Sequence, residues 1–227
     1  GEEEWENPYF GFPQMIRFSF HPGQASVKRL RELRSSGYTY AFSALFQPVS
    51  VKKDVKGGGH RRFVYEEEIL ELLEAIDGSR EEEGLLGFLD YPKIKEGSMC
   101  RHMVCVLPYC ASCDALEVLI ERERGRFKNL GGYKLVNISG VDRPGRYKSS
   151  RDVKERIREC EAQGEKTLTL TVNRMLTGST VEQWDTMIYF KDTASPQEYD
   201  QAVFRLQNQY VQTLTDPEGK TIRYNRK

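Results

Sequence analysis

From residue 99 to residue 210 the chain alternates strand-like and helix-like stretches, and this alternation limits its fold more than any other feature. "HMVCVL" is a short apolar run, and "SCDALEVLIERE" follows with Leu116, Leu119 and Ile120 at helical spacing and Ser112 as its expected cap. "YKLVNISG" is the next strand. "SSRDVKERIRECEAQG" is the next helix, with Val153, Ile157 and Cys160 inward and Gly164 at its end. "KTLTLTV" and "TMIYFK" are two further strands, and "SPQEYDQAVFRLQNQY" is a last helix, opened by Ser195, Pro196 and Glu198 as cap, first position and capping box. Strands separated by helices cannot pair as hairpins, so the pattern predicts a parallel, doubly wound α/β sheet. In such sheets ligands gather beyond the carboxyl ends of the strands.

Before residue 99 the pattern is mixed. "FPQMIRFSF" reads as a strand, "ASVKRLRELRSSG" as a short helix, and "EEEILELLEAIDG" as a helix ended by Gly78. "VKKDVKGGGHRRF" reads as a solvated loop, because no strand and helix frame its glycines as a phosphate cradle. With 34 basic and 34 acidic side chains there is no bulk charge to attract a polyanion, so any nucleic-acid contact must come from local clusters. Three such clusters occur: "VKRLRELR", "KGGGHRR" and "RPGRYKSSRDVKERIR". The absence of any apolar run of about 18 residues and the acidic start "GEEEWENPYF" point to a soluble, cytoplasmic protein, and the initial glycine to a fragment.

Five cysteines, an odd number, suit a reducing compartment. Cys110 and Cys113 form a C-x-x-C without a second zinc-binding half, and His21 and His60 lack a visible partner; the simpler reading packs Cys105 in a strand and the others in the following turn. No metal site is expected.

Two polar stretches remain. "NRMLTGSTVEQWD" leaves the carboxyl end of a strand, and the last helix opposes a packing side of Tyr199, Ala202, Val203, Leu206 and Tyr210 with Gln201, Arg205 and Asn208. A guanidinium flanked by amides suits a phosphate. Taken together, "MVCVLPYCASCDALEVL", "YKLVNISG", "NRMLTGSTVEQWDTMIYF" and "SPQEYDQAVFRLQNQ" resemble motifs IV, IVa, V and VI of superfamily 2 helicases, in the restriction-enzyme and phage-type variant whose motif VI reads Q-x-x-F-R-x-Q.

The resemblance implies a RecA-like second motor domain over residues 99–215, a mostly helical lead-in over 1–98 and the start of a downstream segment at 216–227. It implies DNA-backbone contacts from Thr177, Gly178, Ser139 and Gly140, nucleotide contacts from Gly178, Thr180 and Arg205, and catalytic roles for Gln201 and for Arg205 as the arginine directed at the γ-phosphate. ATP and Mg would be bound mainly by an upstream RecA-like domain of the same polypeptide. No G-x-x-x-x-G-K-[ST] and no acidic box occur here, and "GKT" at residues 219–221 has Leu214 where the first glycine belongs. The expected protein is therefore part of an ATP-dependent DNA helicase or translocase of a restriction-modification enzyme, with a nuclease or methyltransferase domain or subunit as its expected company, and the isolated chain is expected to be inactive. The alternative is a non-catalytic helicase-like module that binds nucleic acid or protein, which the Asn208 in place of a second arginine favours.

Overall fold

The computed structural model describes residues 42–50, 61–79, 87–172 and 181–191, and the backbone of two further strands at 211–215 and 221–225. The strand expected at 12–20, the helix at 25–37, most of the glycine-rich loop, the segment 173–180 and the helix at 195–210 lie outside the described residues.

Four strands form one parallel sheet in the order β4 (Lys134–Asn137), β5 (Thr167–Thr171), β3 (His102–Val106) and β6 (Thr186–Tyr189). His102 pairs with Thr167, Met103 with Thr186, and Lys134 with Thr167. Every residue of β3 and β5 is buried, as expected for inner strands covered on both faces. Because side chains alternate, the sheet feeds two cores. Met103, Cys105, Leu135, Leu168 and Leu170 face one side, where α4 (Cys110–Arg122) packs with Leu116, Leu119 and Ile120. Val104, Val106 and Val136 face the other, where α5 (Ser150–Ala162) brings Val153 and Ile157 and the chain before β6 brings Val181 and Trp184. Helices thus cover both faces of the sheet, and the expected α/β architecture is present.

The ends of these helices follow local chemistry. Ser149 caps α5: its Oγ accepts from the Asp152 N–H at 3.4 Å while the Asp152 carboxylate accepts from the Ser149 N–H at 2.9 Å. Gly164, with φ 71, follows the Gln163 cap and turns the chain toward β5. Ser112 does not cap α4. The helix begins at Cys110 behind an extended Tyr109, and buried Ser112 in its first turn donates from Oγ to the Phe46 carbonyl at 2.7 Å. A tertiary acceptor was available to that hydroxyl, and the cap position, Tyr109, fell three residues earlier than the apolar spacing indicated.

The segment before residue 99 builds onto the α4 side. The short α1 (Phe42–Leu45) leads to a two-stranded antiparallel hairpin, β1 (Pro48–Ser50) with β2 (Arg61–Phe63), and then to α2 (Glu66–Asp77). Gly78 ends α2 in the left-handed conformation, φ 75, as its sequence indicated. A short helix α3 (Pro92–Lys95) precedes β3. Phe46 stacks on Phe190 with ring centroids 4.8 Å apart, and Phe46, Phe63, Ile69 and Leu73 share one core with Leu116 and Leu119. Fully buried Asp77 adds a polar tie: its carboxylate accepts from the main-chain N–H of Lys128 at 2.8 Å and of Asn129 at 3.1 Å, and Asn129 Nδ2 donates to the Asp77 carbonyl at 2.9 Å.

The backbone at 211–215 and 221–225 forms a second antiparallel hairpin, β7 (Val211–Thr215) with β8 (Thr221–Asn225). Where a phosphate-binding loop would lead into a helix, the residues after "GK" form a strand. Among the described residues no helix is long and apolar enough to cross a membrane.

Candidate nucleic-acid interface

The carboxyl edge of the parallel sheet is where β4 and β5 release their chains side by side. After Asn137, β4 enters the turn Ile138–Ser139–Gly140, and a single hydroxyl joins it to its neighbour. Ser139 Oγ lies 3.1 Å from Thr171 Oγ1 and accepts from the Val172 N–H at 3.3 Å. Ser139, expected at the nucleic-acid backbone, therefore also fixes the point from which the chain leaves β5 toward residues 173–180.

The turn is braced from below by α4. Asp114, only 5 % exposed, accepts from Asn137 Nδ2 at 3.0 Å through Oδ1, and from the main-chain N–H of Val141 at 2.7 Å and of Asp142 at 3.2 Å through Oδ2. Asn137 in turn accepts from the Gly140 N–H at 2.8 Å and donates to Glu117 at 2.9 Å. Glu117 binds Arg146 Nη1 at 2.7 Å, and Asp142 pairs with Arg61 Nε of β2 at 3.1 Å. The main-chain N–H groups of Gly140, Val141 and Asp142 are thus occupied by side chains of the protein itself. Asp114, Asn137 and Glu117 were not singled out in the sequence, where "CDALE" reads as ordinary helix interior. The one available signal was polarity on an otherwise inward-facing side of α4.

Glycine at position 140 is required by this crowding. A Cβ there would land on the Asp114 carboxylate and 2.6 Å from Asn137 Nδ2. We expect Gly140→Ala to cost about 2 kcal/mol, in the range of overpacking at a closed site, and to release the turn. Denaturant unfolding and exchange of the Val141 amide check this; an unchanged midpoint with retained protection would refute the steric account.

Thr177, Gly178, Thr180, Gln201 and Arg205 lie outside the described residues. Of the expected contact residues, Ser139 and Gly140 are described, and they sit together at the carboxyl edge. The cysteines sit elsewhere. Cys105 is buried in β3 and Cys113 in α4, and burial pushes both thiols well above their ordinary range; Cys110 is partly exposed at the start of α4. Among the described residues no three His, Cys, Asp or Glu side chains form a metal-binding group.

The opposite, amino edge holds two ionisable side chains, Asp185 and His102, each with a polar atom shielded from solvent. Asp185 precedes β6, and its Oδ2 accepts from the Arg101 N–H at 2.7 Å and the His102 N–H at 3.4 Å. The residue as a whole is only partly buried, but its Oδ1 is sealed from solvent with no hydrogen-bond partner among the described residues. Burial raises its pKa to about 6, working against the Arg101 amide, the Thr186 hydroxyl and the His102 amide, which all favour the carboxylate. His102 places Nδ1 2.9 Å from Thr167 Oγ1, its Nε2 is buried without such a partner, and burial, with Arg101 beside it, lowers its pKa to about 4.

Fold and site together define a parallel α/β domain with a braced polar turn at the carboxyl edge of its sheet. No described protein family and no solved structure matches the chain. A Mycoplasma pneumoniae protein bearing the name type II restriction enzyme and methyltransferase RM.MpnORF110P C-terminus is similar to it, with 27% identity over 208 residues and 88% of this chain. The chain spans 28% of that relative's length.

Proposed function

We propose that the chain is the second motor domain of an ATP-dependent DNA helicase or translocase working within a restriction-modification enzyme. The observation that carries this reading is the joining of two chain exits at one sheet edge: Ser139 Oγ ties the β4 turn to Thr171 and Val172 at the end of β5, and the turn and the residues 173–180 that follow are the two segments expected at the DNA backbone. Ligands of parallel α/β sheets collect at that edge. Similarity to the named restriction enzyme and methyltransferase supports the biological setting. Nuclease or methyltransferase parts would then belong to the rest of the polypeptide or to a partner subunit.

In this reading an upstream RecA-like domain holds most of the ATP and Mg, and the nucleotide supplies phosphoryl-transfer chemistry at the cleft between the two domains. This chain contributes Arg205 and Gln201 to that cleft, with Gly178 and Thr180 beside it. A guanidinium there neutralises charge that develops on the transferred group. Thr177, Gly178 and the Ser139–Gly140 turn hold the DNA backbone. Since the Gly140 N–H is already bonded to Asn137, that turn acts through its shape and its side chains.

The test is ATP hydrolysis by the full-length protein with and without duplex DNA. We expect stimulation by DNA, and we expect Arg205→Ala to lower the stimulated rate by at least about a thousandfold, the scale of a lost arginine finger, with DNA binding retained. Hydrolysis at the wild-type rate in that variant would remove Arg205 from the cleft. Binding of DNA with no hydrolysis in the wild type would leave the non-catalytic binding module.

A further inference from the structure

Two basic clusters, "KGGGHRR" and "RPGRYKSSRDVKERIR", are far apart in sequence, and a contact between described residues links the end of the first to the start of the second. The Arg61–Asp142 ion pair joins the end of the first to the beginning of the second across 81 residues of chain. Beyond Asp142 the chain makes a turn centred on Pro144–Gly145, with Gly145 at φ 81, a pairing that suits a tight turn with a positive dihedral at its third position. No heavy atom lies within 4 Å of where a Cβ on Gly145 would sit, so the tip stands in open space.

The two arginines flanking this tip are held differently. Arg146 is bound to Glu117 at 2.7 Å, with its guanidinium carbon 5.7 Å from the centre of the buried Tyr147 ring. Arg143 is exposed, and no ion pair or hydrogen bond holds its guanidinium among the described residues. Nearby carboxylates do not neutralise it, because Asp142 is paired with Arg61 and Asp152 is used in the α5 cap. From residue 143 to 154 the sequence carries Arg143, Arg146, Lys148, Arg151 and Lys154 against Asp152 alone. The base of the tip cannot drift, since Asp114 holds the Val141 and Asp142 amides.

We propose that the Arg143–Arg146 turn is a preformed contact for the phosphate backbone of DNA, with Arg143 as its free guanidinium. A cation presented on a braced turn loses little freedom on binding, and a guanidinium matches two phosphate oxygens at once. The contact reads charge, not base identity, and so serves a protein that must hold many sequences in turn. It rests on the reading that this chain works on DNA, and it adds a surface beyond the Ser139–Gly140 turn.

The experiment measures binding of a labelled duplex to the full-length protein without nucleotide, over a range of salt, for wild type, Arg143→Ala, Arg143→Lys and Arg151→Ala. Arg143→Ala should weaken binding by about three- to tenfold, equally for unrelated sequences, and reduce the salt slope by about one. Arg143→Lys should keep the slope, and Arg151→Ala, on a solvated helix face and paired with Glu155, should change affinity less than twofold. An unchanged slope in Arg143→Ala overturns the proposal. So does selective loss of binding to polyglutamate with DNA affinity intact, which would assign the tip to an acidic protein surface. DNA-stimulated hydrolysis in the wild type separates the two readings: its absence sinks the motor assignment while leaving the Arg143 comparison to be decided by binding.

Discussion

Replacing Asp114 with alanine is expected to remove about 3 kcal/mol from folding and to loosen the whole 137–146 segment. The side chain is buried, and its two oxygens accept from Asn137 Nδ2 and from the Val141 and Asp142 amides. Truncation leaves three donors without their acceptor, and each buried unmade bond costs roughly 1 kcal/mol or more after partial rescue by water. Asp114→Asn should recover about half of the loss, because one amide oxygen can still accept from the Val141 or Asp142 N–H while its new donor meets Asn137 Nδ2 head-on. Hydrogen exchange reports this directly: the Val141 and Asp142 amides should exchange at least tenfold faster in the alanine variant, while buried β3 amides accelerate only as far as the loss of global stability requires. Under the proposed DNA-backbone role of the Ser139–Gly140 turn, DNA affinity should fall along with it. Wild-type protection at Val141 would show that the turn holds itself.

A change at the amino edge should alter the shape of the stability profile with pH. Asp185 in the folded protein holds its proton up to about pH 6, against 3.8 for the free side chain. Its contribution to stability is complete below about pH 4 and is lost as pH rises through 6. His102 behaves oppositely. Its pKa falls from 6.5 to about 4, so its contribution is complete above 6.5 and is lost as pH falls through 4. Each shift corresponds to roughly 3 kcal/mol, and over the window from 4 to 6.5 the two slopes largely offset. Asp185→Asn keeps an acceptor for the Arg101 and His102 amides and deletes one titration. We expect the variant to gain about 2 kcal/mol at pH 7.5 and to lose stability steeply between pH 6 and 4, where the wild type is nearly flat. Urea unfolding at a series of pH values decides it; parallel curves for wild type and variant would mean that the Asp185 carboxyl is not the group responsible.

Periodicity carried most of the fold because parallel inner strands and two-faced helices leave strong local traces. β3 and β5 read as near-continuous apolar or threonine runs, and Val153, Ile157 and Cys160 of α5 are buried at the spacing that marked them. What stayed hidden depends on partners distant in sequence. Ser112 looked like a cap and instead binds Phe46; Asp77 and Asp114, to which the sequence assigned no role, collect main-chain amides from other segments. The β1–β2 hairpin escaped notice because "PVS" and "RRF" are too short to show alternation. Of the candidate site, the position of Ser139 and Gly140 at the strand end followed from the strand itself. The brace beneath them did not, since an aspartate in a helix gives no sign of which backbone it will meet.

The shared aromatic cluster bears on how such a chain can be recombined. Phe46 and Phe63, from before residue 99, pack in one core with Leu116, Leu119 and Phe190, and Ser112 is bonded to the Phe46 carbonyl. A chimera that joined a foreign lead-in to this sheet at residue 98 would bring together two apolar faces shaped for other partners. The lead-in and the sheet must therefore be grafted as one piece, and any exchange of segments between relatives has its workable seam elsewhere.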